Sequence, residues 1–135
     1  MLYQKLKKIE QSIEGCEYSD GGDSYCIGID KLDSNVSLEM AVKNRLLELD
    51  AIASSEIDIA TTLIQHPEKE LLQLCTDWHF DEKICNEILS LIDEDIKLYR
   101  CCKDSEYVAK GNIGDVFRII VKGQERVLLD YYIVD

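Results

Sequence analysis

The segment LCTDWHFDEKIC, residues 74–85, holds the residue types that come closest to a chemical site. Cys75 and His79 are four positions apart, so on a helix their thiolate and imidazole would share one face, as zinc ligands do. Cys85 is a third candidate ligand. Structural zinc sites usually contain closely spaced cysteine pairs, which this segment lacks. The sequence therefore predicts no metal and no other cofactor, and we interpret the segment as a packed corner between two helices.

A cysteine-histidine catalytic couple would use the same three side chains. A nucleophilic cysteine needs electropositive surroundings that lower its pKa, whereas Asp77, Asp81 and Glu82 surround this one with negative charge. The chain also contains no nucleophile elbow, zinc-protease helix or phosphate-binding loop. We therefore predict that the protein is not an enzyme, with a small thiol or metal enzyme at this segment as an alternative.

The composition is strongly acidic, with 27 acidic and 15 basic residues and a net charge of -12. Such a surface repels phosphate backbones, because nucleic-acid binding requires cations that displace counterions, and it attracts basic proteins. The sequence thus predicts a protein partner with a basic surface and no direct nucleic-acid binding.

Two groups of residues are candidates for contact with that partner, since carboxylates next to aromatic or aliphatic side chains suit a protein interface. One group is expected on the exposed side of the last helix, and the other on the final strand, where a partner strand could add to the sheet. The groups are Glu87, Asp93, Glu94 and Asp95, and Asp130, Tyr131 and Tyr132.

The helical spacing of apolar residues indicates the elements that must position these side chains. It predicts a first helix from Met1 to about Glu14 and helical structure from about Val36 to Cys102. A break is expected at residues 50–55, and Pro67 marks a new helix start, because proline suits the first position of a helix.

The last helix is predicted to begin after Asp81, a favourable N-cap, and to continue to about residues 98–102. Phe80 and Cys85 occupy the two positions of a hydrophobic staple around that cap. Trp78 is expected to anchor the same corner.

The last third of the chain changes to an alternating pattern, which predicts strands at Tyr107–Ala109, Val116–Val121 and Arg126–Val134. The latter two are expected to form a hairpin around Gly123. We predict a single α+β domain over residues 1–135, with a helical body of about four to five helices and a small C-terminal antiparallel sheet.

The amino terminus lacks the apolar block of a signal peptide, and no run of residues reaches the length of a membrane span. These features predict a cytoplasmic protein that does not bind membranes. Cytoplasmic thiols stay reduced, so its six cysteines are expected to be mostly free.

The profile of a small, acidic, noncatalytic domain favours a protein that acts by occluding another protein. Our first hypothesis is an immunity or antitoxin-like protein that neutralises a bacterial toxin, in particular a basic nuclease. The second is a phage-type nucleic-acid mimic that inhibits a defence complex, and the third is the thiol or metal enzyme named above. The pattern leaves the oligomeric state open.

Overall fold

The computed structural model describes residues 1–12, 17–20, 23–26, 28–49, 52, 56, 58–77, 80–102 and 116–134. In this part of the chain the fold is α+β, with four helices and eight strands. The helices are α1 (Leu2–Gln11), α2 (Leu38–Glu48), α3 (Pro67–Asp77) and α4 (Glu82–Leu89). The strands are β1 (Glu17–Asp20), β2 (Asp23–Cys26), β3 (Asp30–Leu32), β4 (Ala60–Leu63), β5 (Ile96–Cys102), β6 (Val116–Lys122), β7 (Glu125–Leu128) and β8 (Tyr131–Val134).

These strands form two antiparallel sheets. The larger has the order β3-β7-β6-β5-β4, and the smaller has the order β1-β2-β8. The β6–β7 hairpin turns through Gly123 and Gln124, and Gly123 has a φ of +61°, a left-handed conformation that glycine adopts without steric cost. This confirms the hairpin that the sequence predicts around Gly123.

Both faces of the five-stranded sheet are covered by helices. Leu98 and Ile120 belong to a core shared with α1, α3 and α4, whereas Cys101 and Ile119 belong to a second core shared with α2. Successive residues of a strand point to opposite faces, so β5 and β6 contribute to both cores. Strands β5 and β6 therefore carry apolar residues on both faces.

Helix α1 is held at its start by a residue from the far end of the sequence. Leu2, Leu6 and Ile9 are its buried stripe. The backbone amides of Leu2 and Tyr3 donate to the Glu125 carboxylate at 3.2 and 2.8 Å. A carboxylate at this position satisfies amides that lack partners within the helix and complements the positive end of its dipole.

Helix α2 covers the opposite face of the sheet with Ala41, Val42 and Leu46, which are all buried. Arg45, on the edge of this helix, reaches Asp30 of β3 with an Nη2–Oδ1 distance of 2.7 Å. The ion pair fixes α2 over the β3 side of the sheet.

The starts of α3 and α4 are where the sequence predicts them. Pro67 is the first residue of α3. The Asp81 carboxylate caps α4 by accepting a hydrogen bond from the Ile84 amide at 2.8 Å. Phe80 and Cys85 pack against the same core, in agreement with the predicted staple around the cap.

The prediction of helical structure throughout Val36–Cys102 is wrong. Helix α2 ends at Glu48, β4 follows, and α4 ends at Leu89, so the segment predicted as its last turns is a turn followed by β5. The physical reason is the pairing of β5 with β6 along seven residues, which contributes backbone hydrogen bonds and burial on both faces.

The predicted C-terminal sheet is also only partly correct, because β1 to β4 come from the first half of the chain. The predicted final strand divides into β7 and β8, which belong to different sheets. Glu14 and Tyr107–Ala109 lie outside the described residues. None of the helices in the described ranges has the length and apolar composition needed to cross a membrane.

Candidate functional site

Helix α4 presents one of the predicted contact residues to solvent. Its apolar side places Ile88 in the core, with Ile84 and Leu89 packed beside it. Glu87 lies on the exposed side. The carboxylate of Glu87 makes no ion pair within the described part of the chain.

Asp93, Glu94 and Asp95 are also exposed, but they do not lie on a helix as predicted. They form the turn between α4 and β5. One oxygen of Asp93 accepts from the Asp95 amide at 2.9 Å, and the other accepts from the Lys122 ammonium at 2.7 Å. The Lys122 hydrogen bond, followed by that of the Asp95 amide, lowers the pKa of Asp93.

We use the name α4 surface for Glu87, Asp93, Glu94 and Asp95. Asp93 is neutralised by Lys122, whereas the other three acids have no ion pair among the described residues. The acids of this surface that lack an ion pair among the described residues are therefore the helix residue and the last two residues of the turn.

Basic side chains border the α4 surface. Lys5 and Lys8 of α1 line a shallow groove together with Lys83 and Glu87 of α4. Lys5 is also close enough to Asp93 to contribute to the lowering of its pKa. The surface is thus a set of acids edged by lysines and not a continuous acidic field.

Asp130, the third predicted contact acid, is a buried residue with only 9% exposure. One carboxylate oxygen accepts from the Arg118 amide at 3.1 Å and the other from the Arg118 guanidinium at 2.9 Å. Burial raises the pKa of Asp130 to about 6, although Arg118 acts to lower it. The expectation that Asp130 is a surface charge is therefore wrong, because its contacts are with the interior.

Tyr131 and Tyr132 lie in β8, paired with Cys26 and Tyr25 of β2, and their side chains lie outside what the structure describes. Strand β8 is at one end of the three-stranded sheet. The backbone arrangement places the predicted strand-addition segment at an edge of that sheet, with a single strand neighbour among the described residues.

The interior contacts of Asp130 belong to a network that the sequence interpretation missed. Glu70 of α3 accepts hydrogen bonds on one oxygen from Arg100 at 2.7 Å and from Arg118 at 3.2 Å. The two arginines are directly opposite each other on β5 and β6. Burial alone would raise the pKa of Glu70, but the two arginines together lower it. Arginines within otherwise apolar strands were the signal that such a network exists.

The cysteine corner predicted as a possible chemical site is only partly described. Cys75 is buried and Cys85 half-buried, and neither of them forms a disulfide; the same holds for Cys101 and Cys102. Burial and the neighbouring Cys85 thiol raise the pKa of Cys75 to about 12, which does not suit a nucleophile. Trp78 and His79 lie outside the described residues. Within those residues, no three side chains of histidine, cysteine, aspartate or glutamate are grouped closely enough to hold a metal ion.

The chain matches no family model, no curated protein and no solved structure. Function must therefore be inferred from the residues of this chain. Among the described residues, two groups of charged side chains are the basis for that inference: the exposed α4 surface, and the network of Glu70, Arg100, Arg118 and Asp130 beneath α3.

Proposed function

We propose that this protein binds and occludes a basic protein partner, as an immunity or antitoxin-like inhibitor of a toxin such as a nuclease. The observation that carries the proposal is the solvent exposure of Glu87, Glu94 and Asp95, none of which has an ion pair among the described residues, on a protein with a net charge of -12. An excess of exposed acids attracts a basic surface over long range and selects against acidic competitors.

The secondary structure beneath the α4 surface supports this role. Helix α4 is anchored by its apolar side, is capped by Asp81, and shares a core with α3. The turn that carries Glu94 and Asp95 is held by the Asp93–Lys122 ion pair to the β6–β7 hairpin. A surface that is ordered before binding loses less conformational entropy when the partner associates.

The lysines beside the α4 surface favour a protein partner over nucleic-acid mimicry. A mimic needs negative charges that follow one another as phosphates do, whereas Lys5, Lys8 and Lys83 interrupt the acids around Glu87. Mixed charges suit a protein interface, where each group selects a counterpart of opposite sign.

Binding kinetics test the proposal. The partner to use is the purified product of a toxin-like reading frame adjacent to the gene, measured for association rate and for inhibition of its nuclease activity. The test variant is Glu87→Lys with Glu94→Lys. The matched control is Asp58→Lys with Glu68→Lys, two exposed acids that lie outside the α4 surface and give the same change in net charge.

We expect the test variant to associate more slowly and with a weaker dependence on salt, because steering charges act mainly on the association rate. If either acid is central to the interface, affinity should fall on the order of a hundredfold. The control should lose much less.

Two results would contradict the proposal in different ways. Equal losses in the test and control variants would mean that net charge, and not the α4 surface, governs association. Unchanged binding by the test variant, together with loss on shortening of β8, would assign the interface to strand addition.

A further inference from the structure

Strand β4 forms one end of the five-stranded sheet and pairs only with β5 among the described residues. The pairing continues without a bulge over Ala60–Leu63, and the Ile64 amide extends it by donating to the Leu98 carbonyl at 2.9 Å. In an antiparallel pair, residues that bond to the neighbouring strand alternate with residues whose backbone groups point away from it. Thr61 and Leu63 therefore direct their amides and carbonyls away from β5, toward the open edge of the sheet.

Strand β4 lacks the features with which folded proteins usually protect an open edge. Its sequence, ATTL, contains neither a charged residue nor a proline, which are common means of preventing strand addition. The Leu63 side chain is 47% exposed. The edge strand at the other end of the sheet, β3, is different, because Asp30 and Lys31 are two of its three residues and Asp30 pairs with Arg45. The unprotected edge of this sheet is thus β4.

The helices contact the two faces of this end of the sheet. On one face, the Thr61 hydroxyl donates to Glu39 of α2 at 2.6 Å. On the other face, Arg100 lies directly opposite Thr62 and pairs with Glu70 of α3 at 2.7 Å. The outward backbone groups of β4 have no hydrogen-bond partner among the residues that the structure describes.

We propose that a second copy of this chain covers the edge. The two β4 strands would lie antiparallel about a twofold axis at Thr62, so that the two five-stranded sheets become continuous. This contact uses no residue of the α4 surface, and it does not depend on the function proposed above.

A twofold axis at Thr62 satisfies every outward group of Thr61 and Leu63. It places Thr61 of one copy opposite Leu63 of the second copy, and each such pair exchanges two backbone hydrogen bonds. A shift of one residue would instead place an outward group opposite a group that is already bonded to β5. The hydrogen-bonding pattern of the edge is therefore complementary to itself in this register.

The side chains also match in this register. Thr62 of each copy would face its counterpart in a non-hydrogen-bonded pair, where side chains approach closely and two threonines pair favourably. Leu63 would lie beside Thr61 of the second copy, which covers an apolar side chain that is otherwise half exposed. No charge is buried within the four residues of the paired segment.

The charge of the chain favours a second copy over a charged partner strand. Two chains with a net charge of -12 repel each other, so they can associate only through a contact that adds no further like charges. An edge without charge meets this condition, and it offers no counterpart to a basic or acidic partner strand. Because salt screens the repulsion between the copies, the dimer should become tighter as salt rises. Binding of a basic partner to the α4 surface should have the opposite salt dependence.

Sedimentation equilibrium of the full chain, over a series of concentrations at low and high salt, tests the proposal. We expect a species of twice the 15.5 kDa chain mass, with a dissociation constant that falls as salt is added. The test variant is Thr62→Glu, which places two carboxylates opposite each other at the axis and should weaken the dimer about tenfold or more. The matched control is Asn44→Glu on the exposed side of α2, which changes the net charge equally and should dimerise as the natural protein does.

A second variant locates the axis. In Thr62→Cys, the introduced thiols of two copies should form a disulfide on oxidation, because the Cα atoms of a non-hydrogen-bonded pair are about 4.5 Å apart, within the range that a disulfide spans. Peptide mapping should find residue 62 linked to residue 62, and Asn44→Cys should give no such link. Circular dichroism checks the fold of Thr62→Glu. If that variant unfolds, the mass of the natural chain and the link at residue 62 decide.

Four results would each overturn the proposal. The natural chain stays monomeric at the highest concentration reached; the dimer weakens as salt rises; Thr62→Glu and Asn44→Glu dimerise equally well; or Thr62→Cys fails to link the two copies at residue 62. None of these results bears on the function proposed above, because a monomeric chain can still inhibit a toxin through the α4 surface.

Discussion

The buried network beneath α3 and the α4 surface are both rich in charge, but their charges are arranged in opposite ways. In the network, Glu70 and Asp130 are matched by Arg100 and Arg118, and Asp130 is withdrawn from solvent. On the α4 surface, acids face solvent, and one of them is neutralised by a lysine of the sheet. The first arrangement balances charge within the protein, and the second leaves most of its charge exposed to solvent.

This difference indicates where each group of charges acts. A buried charge is costly unless it is paired and hydrogen-bonded, so the network affects the free energy of unfolding. An exposed acid in water contributes little to stability but acts over a long range on an approaching partner. Substitutions in the two regions should therefore have separable effects.

The largest loss of stability is expected for Arg118→Met. Removal of this guanidinium leaves the Asp130 carboxylate buried without its charged partner and takes one of two arginines from Glu70, so the free energy of unfolding should fall by about 3 to 5 kcal/mol at pH 7. Urea denaturation measures the loss. Arg100→Met is the matched control, with a smaller loss because the Arg100 side chain is 41% exposed. Equal losses would mean that burial does not distinguish the two arginines.

A pH titration of stability should identify Asp130. Folding raises its pKa from 3.8 to about 6, so the stability it contributes is fully present below about pH 4 and is lost as pH rises through about 6. The difference in unfolding free energy between the natural protein and Asp130→Asn should shift by up to about 3 kcal/mol across this range. Glu70 acts oppositely, because its pKa is lowered and its contribution is lost in more acidic solution. A pH-independent difference would show that Asp130 does not titrate in this range.

A smaller loss of stability is expected for Asp81→Ala. This substitution removes an exposed acid that nevertheless has a structural contact. Loss of its hydrogen bond to the Ile84 amide should cost about 1 kcal/mol of stability, the usual value for an N-cap. Thermal unfolding measures it. Asp81→Asn serves as a control, since asparagine also caps helices, and it should retain most of the stability.

The smallest effect on stability is expected for the pair Glu87→Lys and Glu94→Lys. Neither carboxylate has an ion pair within the described residues, so unfolding free energy should change by less than about 0.5 kcal/mol. The measurement is the urea midpoint at two salt concentrations. A loss as large as that of Asp81→Ala would mean that the α4 surface is part of the folded framework and would remove the separation between the two regions.

Local signals in the sequence were sufficient to predict the position of several elements. Pro67 and Asp81 mark helix starts through their own backbone and side-chain chemistry, and Gly123 marks a hairpin turn through its conformational freedom. Each of these signals acts over a few residues, which is why no tertiary information was needed.

The error at the end of α4 has a specific cause. Ile84, Ile88, Ile92 and Ile96 recur every four residues, so the helical period continues in the sequence beyond Leu89, where the helix ends. The strand pattern of β5 is weak because apolar residues occur on both of its faces. These residues form a strand because they pair with β6, which follows in the sequence after the segment 103–115.

For a similar reason, the sequence could not distinguish the exposed acids of the α4 surface from the buried Asp130. Exposure of Glu87 follows from the helical period, which is local. Burial of Asp130 depends on Arg118, twelve residues away, and on Glu70, which is 48 residues from that arginine. An isolated Asp beside two tyrosines carries no sign of such partners.

The hydrogen bonds from Leu2 and Tyr3 to Glu125 have a consequence for synthesis of the protein on the ribosome. The partners are separated by 123 and 122 residues, so the first helix is made long before the carboxylate that caps it. Strands β3 and β7 are likewise paired across most of the chain.

In the nascent chain, Leu6 and Ile9 of the buried stripe therefore lack their final core until the β6–β7 hairpin has left the exit tunnel. Because distant pairings must form before the core closes, folding should be slow, and the core can close only after this hairpin has emerged. During that interval the N-terminal helix is a natural substrate for chaperones that bind exposed apolar segments.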